Sequence, residues 1–298
     1  MTRPPSKTKG LPVERIFTTP DKNPLDEIRY KRTSSRIADA DGSTVFEMRD
    51  VEVPEGWSQL STDILASKYC RPMSADASLR ENSARQVVGR VARTIRKAGE
   101  EGKYFTDAAA AAAFEDELAF LLINQYAAFN TPVWLNCGLH HEYGLKGQGG
   151  NWAFDRPTGR AKECADAYSR PQVSACFIQA LDDSLTSIFE LSKNEARIFK
   201  YGSGSGTNFS RIRSRHEKLS TGGSPSGLMF FLEVLDKGAG AIKSGGIGRR
   251  AAKMVCLDAD HPEIEDFIQW KQREEKKVAV LVAAGYDSDF NGEAYRTV

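Results

Sequence analysis

Closely spaced cysteines are missing from this sequence. Disulfide-rich secreted domains and zinc ribbons both depend on close cysteine pairs. The five cysteines here are scattered, which predicts a reduced protein; they are Cys70, Cys137, Cys164, Cys176 and Cys256. Cys137 and His140 have the spacing that could begin a zinc site, but no second pair with suitable spacing follows. We therefore expect no metal ligands.

Long apolar runs and an excess of charge of either sign are missing too. No stretch approaches the roughly 18 apolar residues of a membrane span, and the opening "MTRPPSKTKGLPVERIF" has no apolar segment of the kind that a signal peptide contains. The net charge is +1, so no broad basic field is available to attract nucleic acid. We expect a cytoplasmic protein whose partners include neither nucleic acid nor a membrane.

The first part of the chain has mostly helical patterns. Residues 1–30, rich in Pro, Lys and Thr, are expected to form a flexible arm. Residues 43–57 alternate apolar and charged side chains, as short strands do. A short helix is predicted over 59–70, and longer helices over 78–102 and 106–129, from apolar periodicity and strong helix formers. These patterns predict a mainly helical domain over 31–130.

Strand and helix patterns alternate over 131–298, which predicts an α/β fold. The predicted strands are "VSACFIQAL", which is expected to be buried, "MVCLDAD" and "VAVLVAAGY". Helices are expected over "SLTSIFELSKNEARIFKYG", "GLMFFLEVLDKGAGAIKS" and "HPEIEDFIQWKQREEKK". The segment "NTPVWLNCG" is interpreted only as a short apolar run between Pro and Gly. Cys256, inside an apolar strand, is interpreted as a buried small hydrophobe.

Two glycine-rich segments could contact phosphate groups. "YGSGSGTN" resembles a phosphate-binding loop, but a dinucleotide fingerprint needs a strand before it and a helix after it. Here a helix precedes it and an extended segment follows, so that interpretation fails and a plain turn remains. "KSGGIGRRAAK" combines glycines with basic side chains, which fits a phosphate loop or a solvated basic loop.

Arginines recur at alternating positions in "FSRIRSRHEK". In a strand, Arg211, Arg213 and Arg215 would share one face. Three like charges on one face predict an anionic ligand or nearby carboxylates, for which Asp182 and Asp183 are candidates.

Six blocks of this sequence, in order, resemble the first half of the catalytic chain of adenosylcobalamin-dependent (class II) ribonucleoside-diphosphate reductases. The blocks are "NTPVWLNCG", "SACFIQALDDSLTSIF", "GSGSGTNFSRIR", "GGSPSGLMFFLEVLDKGAGAIKSGG", "RRAAKMVCLDADHPEIEDFIQWK" and "AAGYDSDFNGEAYRTV". The similarity extends over about residues 40–298. It implies a helical N-terminal domain followed by the first half of a ten-stranded α/β barrel built from two five-stranded halves.

The resemblance also implies a radical chemistry. In this family the cobalamin generates a thiyl radical on a cysteine inside the barrel, and the thiyl removes the 3′ hydrogen of a ribonucleotide. The 2′ hydroxyl leaves as water, and a cysteine pair becomes a disulfide that a thioredoxin-type protein reduces. Cys176 matches the first cysteine of that pair, whose partner belongs to a later strand.

Other positions match residues that bind nucleotides in the family. Asp183, Ser184 and Leu185 match the segment that binds a deoxynucleotide effector, with Asp183 on its ribose hydroxyl, and Arg213 matches the effector-phosphate loop. Gly246 and Arg249 fall in the loop that links effector to substrate. Substrate-contacting positions match Ala175, Ser203, Gly204 and either Thr131 or Val133.

The blocks that match end before the family's radical cysteine and second redox cysteine. We therefore expect these 298 residues alone not to reduce ribonucleotides. They would act in a homodimer or with a complementing C-terminal chain. The alternative is a noncatalytic module that binds deoxynucleotides and dimerises.

Overall fold

The computed structural model describes residues 10–38, 42–200, 202–220, 222–242, 252–288 and 292–297. Contacts divide the chain into two units, Met1–Ala175 and Cys176–Val298. The helices of the first unit are α1 (Gln59–Ile64), which continues into a π-helical turn (Leu65–Tyr69), α2 (Ala84–Glu101), α3 (Ala108–Ile123), α4 (Thr131–Asn136) and α5 (Leu139–Tyr143). Its strands form two antiparallel pairs, β1 (Tyr30–Ala38) with β2 (Thr44–Pro54) and β3 (Trp152–Asp155) with β4 (Arg160–Glu163).

The two long helices of this unit begin at the residues that helix-capping chemistry favours. Ser83 and Gln86 form a capping box at the start of α2, and the Asp107 carboxylate accepts from the Ala110 N–H at the start of α3. Both caps satisfy N–H groups that the helix leaves unpaired. The apolar stripe predicted on α2 is buried, as Val87 and Val91 show. The helices expected within 78–102 and 106–129 are confirmed, with shorter bounds.

A fully buried ion pair joins several elements of the first unit. Arg90 of α2 donates to the carboxylate of Glu81 from Nε (2.8 Å), and both side chains are inaccessible to solvent. The same guanidinium donates to the backbone carbonyls of Cys137 and Trp134, and the Tyr143 hydroxyl donates to Glu81 at 2.7 Å. Because every partner is inside the protein, this network fixes α4 and α5 against α2.

The predicted boundary near residue 130 therefore falls inside the first compact unit. The Arg90 network ties residues 134–143 to α2, and the division lies between Ala175 and Cys176. "NTPVWLNCG", interpreted as a short apolar run, contains α4, with Pro132 in its first turn, where proline is tolerated. Besides its helices, the stretch 31–130 contains nearly all of the antiparallel pair β1–β2, and the second pair, β3–β4, follows it within the same unit.

From Gly10 on, the segment predicted as a flexible arm is held against α3. The backbone N–H groups of Ile16, Phe17 and Thr18 all point at the Glu117 carboxylate, at 2.9–3.2 Å. The Phe17 ring stacks on Phe120 with centroids 5.1 Å apart. A carboxylate that accepts several N–H groups anchors a backbone segment firmly, so a free arm does not describe this part of the chain.

The second unit is built on a three-stranded parallel sheet in the order β5-β6-β7. Its elements are β5 (Cys176–Gln179), α6 (Leu185–Lys200), β6 (Gly204–Asn208), α7 (Leu228–Ala241), β7 (Lys253–Cys256), α8 (Ile264–Ala283) and α9 (Glu293–Thr297). Leu191 and Leu235 belong to a core that α6 and α7 form with residues after the strands. The buried Glu195 of α6 accepts from Ser205 of β6 and Lys253 of β7, both at 2.7 Å.

Three predictions for this unit were wrong. The glycine loop is strand β6, the central strand, because Gly204 and Gly206 let neighbouring chains approach closely; a Cβ on Gly204 would lie 2.9 Å from the Ala252 carbonyl. The strand predicted over "VAVLVAAGY" is the last part of α8, where helical continuity prevails over β-branched propensity. Strand β5 is not buried on both faces, since Ile178 is 80% exposed.

Within the described residues, no helix has the length and apolar character that crossing a membrane requires.

We predict that Glu81→Ala will lower the free energy of unfolding by about 3–5 kcal/mol, because it leaves the Arg90 charge buried without its counterion. Urea unfolding followed by circular dichroism measures this. The control is Glu100→Ala, which removes the partly exposed i,i+4 partner of Arg96 and should change stability by about 0.5 kcal/mol. Equal effects of the two substitutions would contradict the role assigned to the buried pair.

Candidate functional site

The carboxyl ends of the three parallel strands meet at one edge of the sheet. Asp183 follows β5, Arg213 follows β6 and His261 follows β7. Parallel strands present their carboxyl ends on the same side, and the turns that follow them form a crevice where ligands bind in open α/β sheets. Residues far apart in sequence therefore line one cavity at this edge.

That cavity is polar and has a volume of about 370 Å³. Side chains from all three turns line it: Asp183, Ser210, Arg211, Ile212, Arg213, Glu217, Asp258, Asp260, His261 and Pro262. Carboxylates outnumber guanidinium groups in this lining. Such a site suits a ligand with both hydroxyl donors and anionic groups.

Asp183 and Arg213 form the central contact of the cavity. The Arg213 Nε donates to Asp183 Oδ2 at 2.5 Å, and the Arg213 backbone N–H donates to Oδ1 at 3.4 Å. The two residues predicted to bind the ribose and the phosphates of one ligand are thus brought together. Both remain partly exposed, at 29% and 43% of their side chains, so a ligand can reach them.

The arginines do not lie on one strand face, because residues 209–217 form turns. Phe209 and Ile212 are buried in the core of this unit, which leaves the arginine side chains between and after them on the surface. Each guanidinium faces a carboxylate: Arg211 bonds to Asp182 at 2.9 Å, and Arg215 bonds to Asp266. Nearby carboxylates were one of the two predicted alternatives, and these contacts confirm it.

The first turn of α6 carries two further predicted residues. The Ser184 hydroxyl accepts from the Ser187 N–H at 3.2 Å, and its carbonyl accepts from the Ile188 N–H at 3.0 Å, as in an N-cap. Leu185 is 64% exposed. Ser184 therefore fixes the point where the chain leaves Asp183 and enters the helix. The predicted residues Gly246 and Arg249 lie outside the described residues.

A second group of predicted residues lies at the amino edge of the same sheet. Cys176 pairs in register with Gly204, so Ala175 and Ser203 precede these positions on neighbouring strands. The Cys176 side chain is exposed, whereas Ser203 is buried at 3% exposure. Four predicted positions are thus brought together around one accessible thiol.

Thr131 and Val133 both belong to α4 of the first unit. Val133 is buried, with 7% exposure. Thr131 is half-buried and its hydroxyl lies 3.3 Å from the Tyr69 hydroxyl. Of the two alternatives left open by the sequence, only Thr131 presents a polar side chain to solvent.

Cys256 is exposed, which corrects its interpretation as a buried hydrophobe. It lies on the face of the sheet that carries Cys176, the face opposite the one that α6 covers. Register pairs it with Asn208, while Cys176 pairs with Gly204. At about 3.3 Å per residue and about 4.8 Å per strand, the two Cα atoms are about 16 Å apart. A disulfide needs less than about 7 Å, so Cys256 is not the redox partner of Cys176.

Two residues that hold the site together were not predicted from the sequence. His261 and Glu263 are both buried, at 6% and 1% exposure, and bond to the backbone of the arginine-bearing segment. The signal was available, since "HPEIED" follows a strand directly and places a histidine and carboxylates at the carboxyl edge of the sheet.

We predict a clear order of alkylation rates for the cysteines, because the thiolate is the reactive form. Burial raises the pKa of Cys70 to about 12, with the nearby Glu81 carboxylate adding to the effect, and burial raises the pKa of Cys137 to about 11. Native iodoacetamide treatment at pH 8 should label the exposed Cys176 and Cys256 first. Peptide mass mapping, with urea-unfolded protein as the control, measures the rates. Equally fast native labelling of Cys70 would contradict this order.

Two family models match the chain. The model described as ribonucleotide reductase, barrel domain, matches residues 174–286. The model described as class II vitamin B12-dependent ribonucleotide reductase matches residues 31–125. The first contains the entire sheet of the second unit and the polar cavity. The second contains β2, α1, α2, α3 and all of β1 except Tyr30.

Individual relatives are also named as vitamin B12-dependent reductases. A vitamin B12-dependent ribonucleotide reductase of Rhodopirellula baltica is 45% identical over 290 residues, which is 97% of this chain and 28% of the relative. One of Agrobacterium fabrum is 45% identical over 91% of this chain and 24% of its own length. A vitamin B12-dependent ribonucleoside-diphosphate reductase of Thermoplasma acidophilum is 40% identical over 121 residues. The chain spans less than a third of the length of these relatives. From these matches, the chain belongs to the family of vitamin B12-dependent ribonucleotide reductases.

Proposed function

We propose that this chain supplies the effector site and one redox cysteine of a reductase that converts ribonucleoside diphosphates to deoxyribonucleotides. The observation that carries the proposal is the contact between Asp183 and Arg213 in the polar cavity. Family resemblance assigns one to the ribose hydroxyl and the other to the phosphates of a deoxynucleotide effector. Their convergence from turns after two different strands supports a single ligand for both.

Two charged side chains of the cavity, Arg213 and Asp183, match the groups of a nucleoside triphosphate. A guanidinium binds phosphate oxygens with charge-assisted hydrogen bonds, and a carboxylate accepts from a ribose hydroxyl. In the structure, Arg213 and Asp183 satisfy each other. The effector takes over both groups: the Arg213 guanidinium turns to the phosphates, and the Asp183 carboxylate is released to accept from the sugar.

Cys176 supplies one of the two thiols that reduce the ribonucleotide. Two electrons and two protons leave the thiol pair as it becomes a disulfide, and a thioredoxin-type protein returns them. Its exposed position on the open face of the sheet supports access by substrate and by a partner thiol. Ala175, Ser203, Gly204 and Thr131 are the proposed substrate contacts. The partner cysteine belongs to another part of the reductase.

The proposal includes the barrel architecture that the family resemblance implies. The parallel sheet β5-β6-β7 would form part of the first half of the ten-stranded barrel, preceded by a helical N-terminal domain. A homodimer or a complementing C-terminal chain would complete the enzyme. The names of the relatives give no support to the alternative of a noncatalytic module.

The chain belongs to a family that depends on cobalamin, but the polar cavity is not a site for it. The polar cavity is lined by ionised side chains and, at about 370 Å³, is much too small for a corrinoid. We therefore assign none of the described residues to adenosylcobalamin.

We predict that dTTP or dATP binds the purified chain and that Asp183→Ala weakens binding at least about tenfold, the usual effect of losing a charge-assisted hydrogen bond. Isothermal titration calorimetry measures the dissociation constants. The matched control is Asp182→Ala, which removes the neighbouring carboxylate and its own arginine contact and should change affinity less than about twofold. Absence of binding to the folded wild-type chain would overturn the proposed effector site.

We also predict that the 298 residues alone, given adenosylcobalamin, a dithiol and a ribonucleoside diphosphate, form no deoxynucleotide. The reason is that the cysteine partner of Cys176 and the radical cysteine are expected elsewhere in the reductase. Chromatography of the dephosphorylated nucleosides measures product. Turnover that Cys176→Ser abolishes would show that these residues are sufficient.

A further inference from the structure

Residues 209–217, which we call the arginine segment, carry Arg213 into the cavity without the support of a helix or strand. Phe209 and Ile212 anchor the segment in the core. These two apolar anchors fix where the segment meets the core, and the torsions around Arg213 are restrained by hydrogen bonds to the backbone. The direction of the Arg213 side chain therefore depends on what bonds to the backbone of this segment.

His261 bonds to the centre of the arginine segment. Its Nδ1 accepts from the Glu263 backbone N–H at 3.1 Å, so this nitrogen carries no hydrogen. The hydrogen is then on Nε2, which lies 2.8 Å from the Ile212 carbonyl and donates to it. Both ring nitrogens have a partner, and the side chain is buried at 6% exposure. The imidazole therefore holds Ile212, the residue just before Arg213, in one orientation.

Glu263 bonds to the far end of the same segment. Its Oε2 accepts from the Arg215 N–H at 3.3 Å and from the Leu228 N–H at 2.9 Å. The second bond satisfies an N–H at the start of α7, whose N-cap, Gly227, has no side chain to do so. Gly227 has φ of +85°, and a Cβ there would lie 2.9 Å from Glu263 Oε1. Glycine is required at this close approach.

We infer that His261 and Glu263 are positioning residues of the effector site: they hold the backbone on both sides of Arg213 so that its guanidinium faces Asp183. The identity of the ligand rests on the proposed function, whereas the hydrogen bonds that hold the segment do not depend on it. Neither side chain needs to touch the nucleotide. A buried residue that bonds to two backbone groups acts by restricting the segment, as second-layer residues do around other sites.

Three substitutions of His261 separate the two hydrogen bonds. Glutamine can place an amide donor where Nε2 lies and keep the bond to Ile212. Asparagine can place an amide oxygen where Nδ1 lies and keep the bond from Glu263, and alanine keeps neither. The matched control is His216→Ala, since His216 is an exposed histidine of the same segment. Glu263→Gln retains an acceptor for the Arg215 and Leu228 N–H groups and is expected to resemble the wild type.

Two measurements on the full 298-residue chain test the inference. Amide hydrogen exchange should be at least about fivefold faster over 211–217 in His261→Asn and His261→Ala, with the strands β5, β6 and β7 unchanged. Titration of dTTP should give about tenfold weaker binding for these two variants, and within about twofold of the wild type for His261→Gln and His216→Ala.

The outcomes separate the inference from the function on which it rests. Unchanged exchange over 211–217 in His261→Asn would overturn the holding role, and so would equal loss of affinity in His261→Gln and His261→Asn. If the wild type binds neither dTTP nor dATP while the exchange pattern is as expected, the holding role stands and the proposed function falls. Faster exchange across the sheet in His261→Ala would mean that this variant is generally unfolded. The comparison of His261→Gln with His261→Asn then decides whether the holding role stands.

Discussion

Parallel pairing of β5, β6 and β7 is the constraint on which the rest of the second unit depends. Because the strands run in one direction, the turns that follow them come to the same edge, and adjacent strands are only about 4.8 Å apart. Asp183 and Arg213 are 30 positions apart in sequence, yet their side chains are in contact. The glycines of β6 make the pairing possible, since Gly206 is flanked by the side chains of Ile178 and Met254 on either neighbouring strand.

The arginines in and beside the cavity are already paired with carboxylates. Arg211, Arg213 and Arg215 each face a carboxylate of the same unit, and Arg273 and Arg215 together lower the pKa of Asp266. A ligand's phosphates therefore compete with these carboxylates for the guanidinium groups. The affinity is therefore the difference between the ion pairs formed with the phosphates and those given up with the carboxylates. A ligand hydroxyl that donates to the released Asp183 carboxylate adds to the affinity. This favours a ligand that carries both groups over a simple anion.

Local chemistry in the sequence was enough to predict most elements. Capping residues and apolar periodicity predicted α2, α3, α6 and α7, and the family resemblance brought Asp183 and Arg213 to one ligand. Predictions failed where tertiary contacts overrule local signals. A glycine-rich run that looks like a loop is the central strand, because only small residues fit between two neighbours there. The exposure of Cys256 could not be predicted either, since which face of a strand is covered depends on where the helices pack.

Cys176 and the polar cavity lie at opposite edges of the same sheet, about 13 Å apart along a four-residue strand. No side chain reaches across that distance, so an influence of one on the other must pass through packed elements. Helix α6 is suited to this, because it begins beside Asp183 and carries Glu195 three turns further on. Glu195 is buried and bonds to Ser205 and Lys253. Ser205 follows Gly204, which is the register partner of Cys176. A shift of α6 that broke the ion pair between Glu195 and Lys253 would leave both charges buried without partners. Helix α6 and the sheet are therefore constrained to move together.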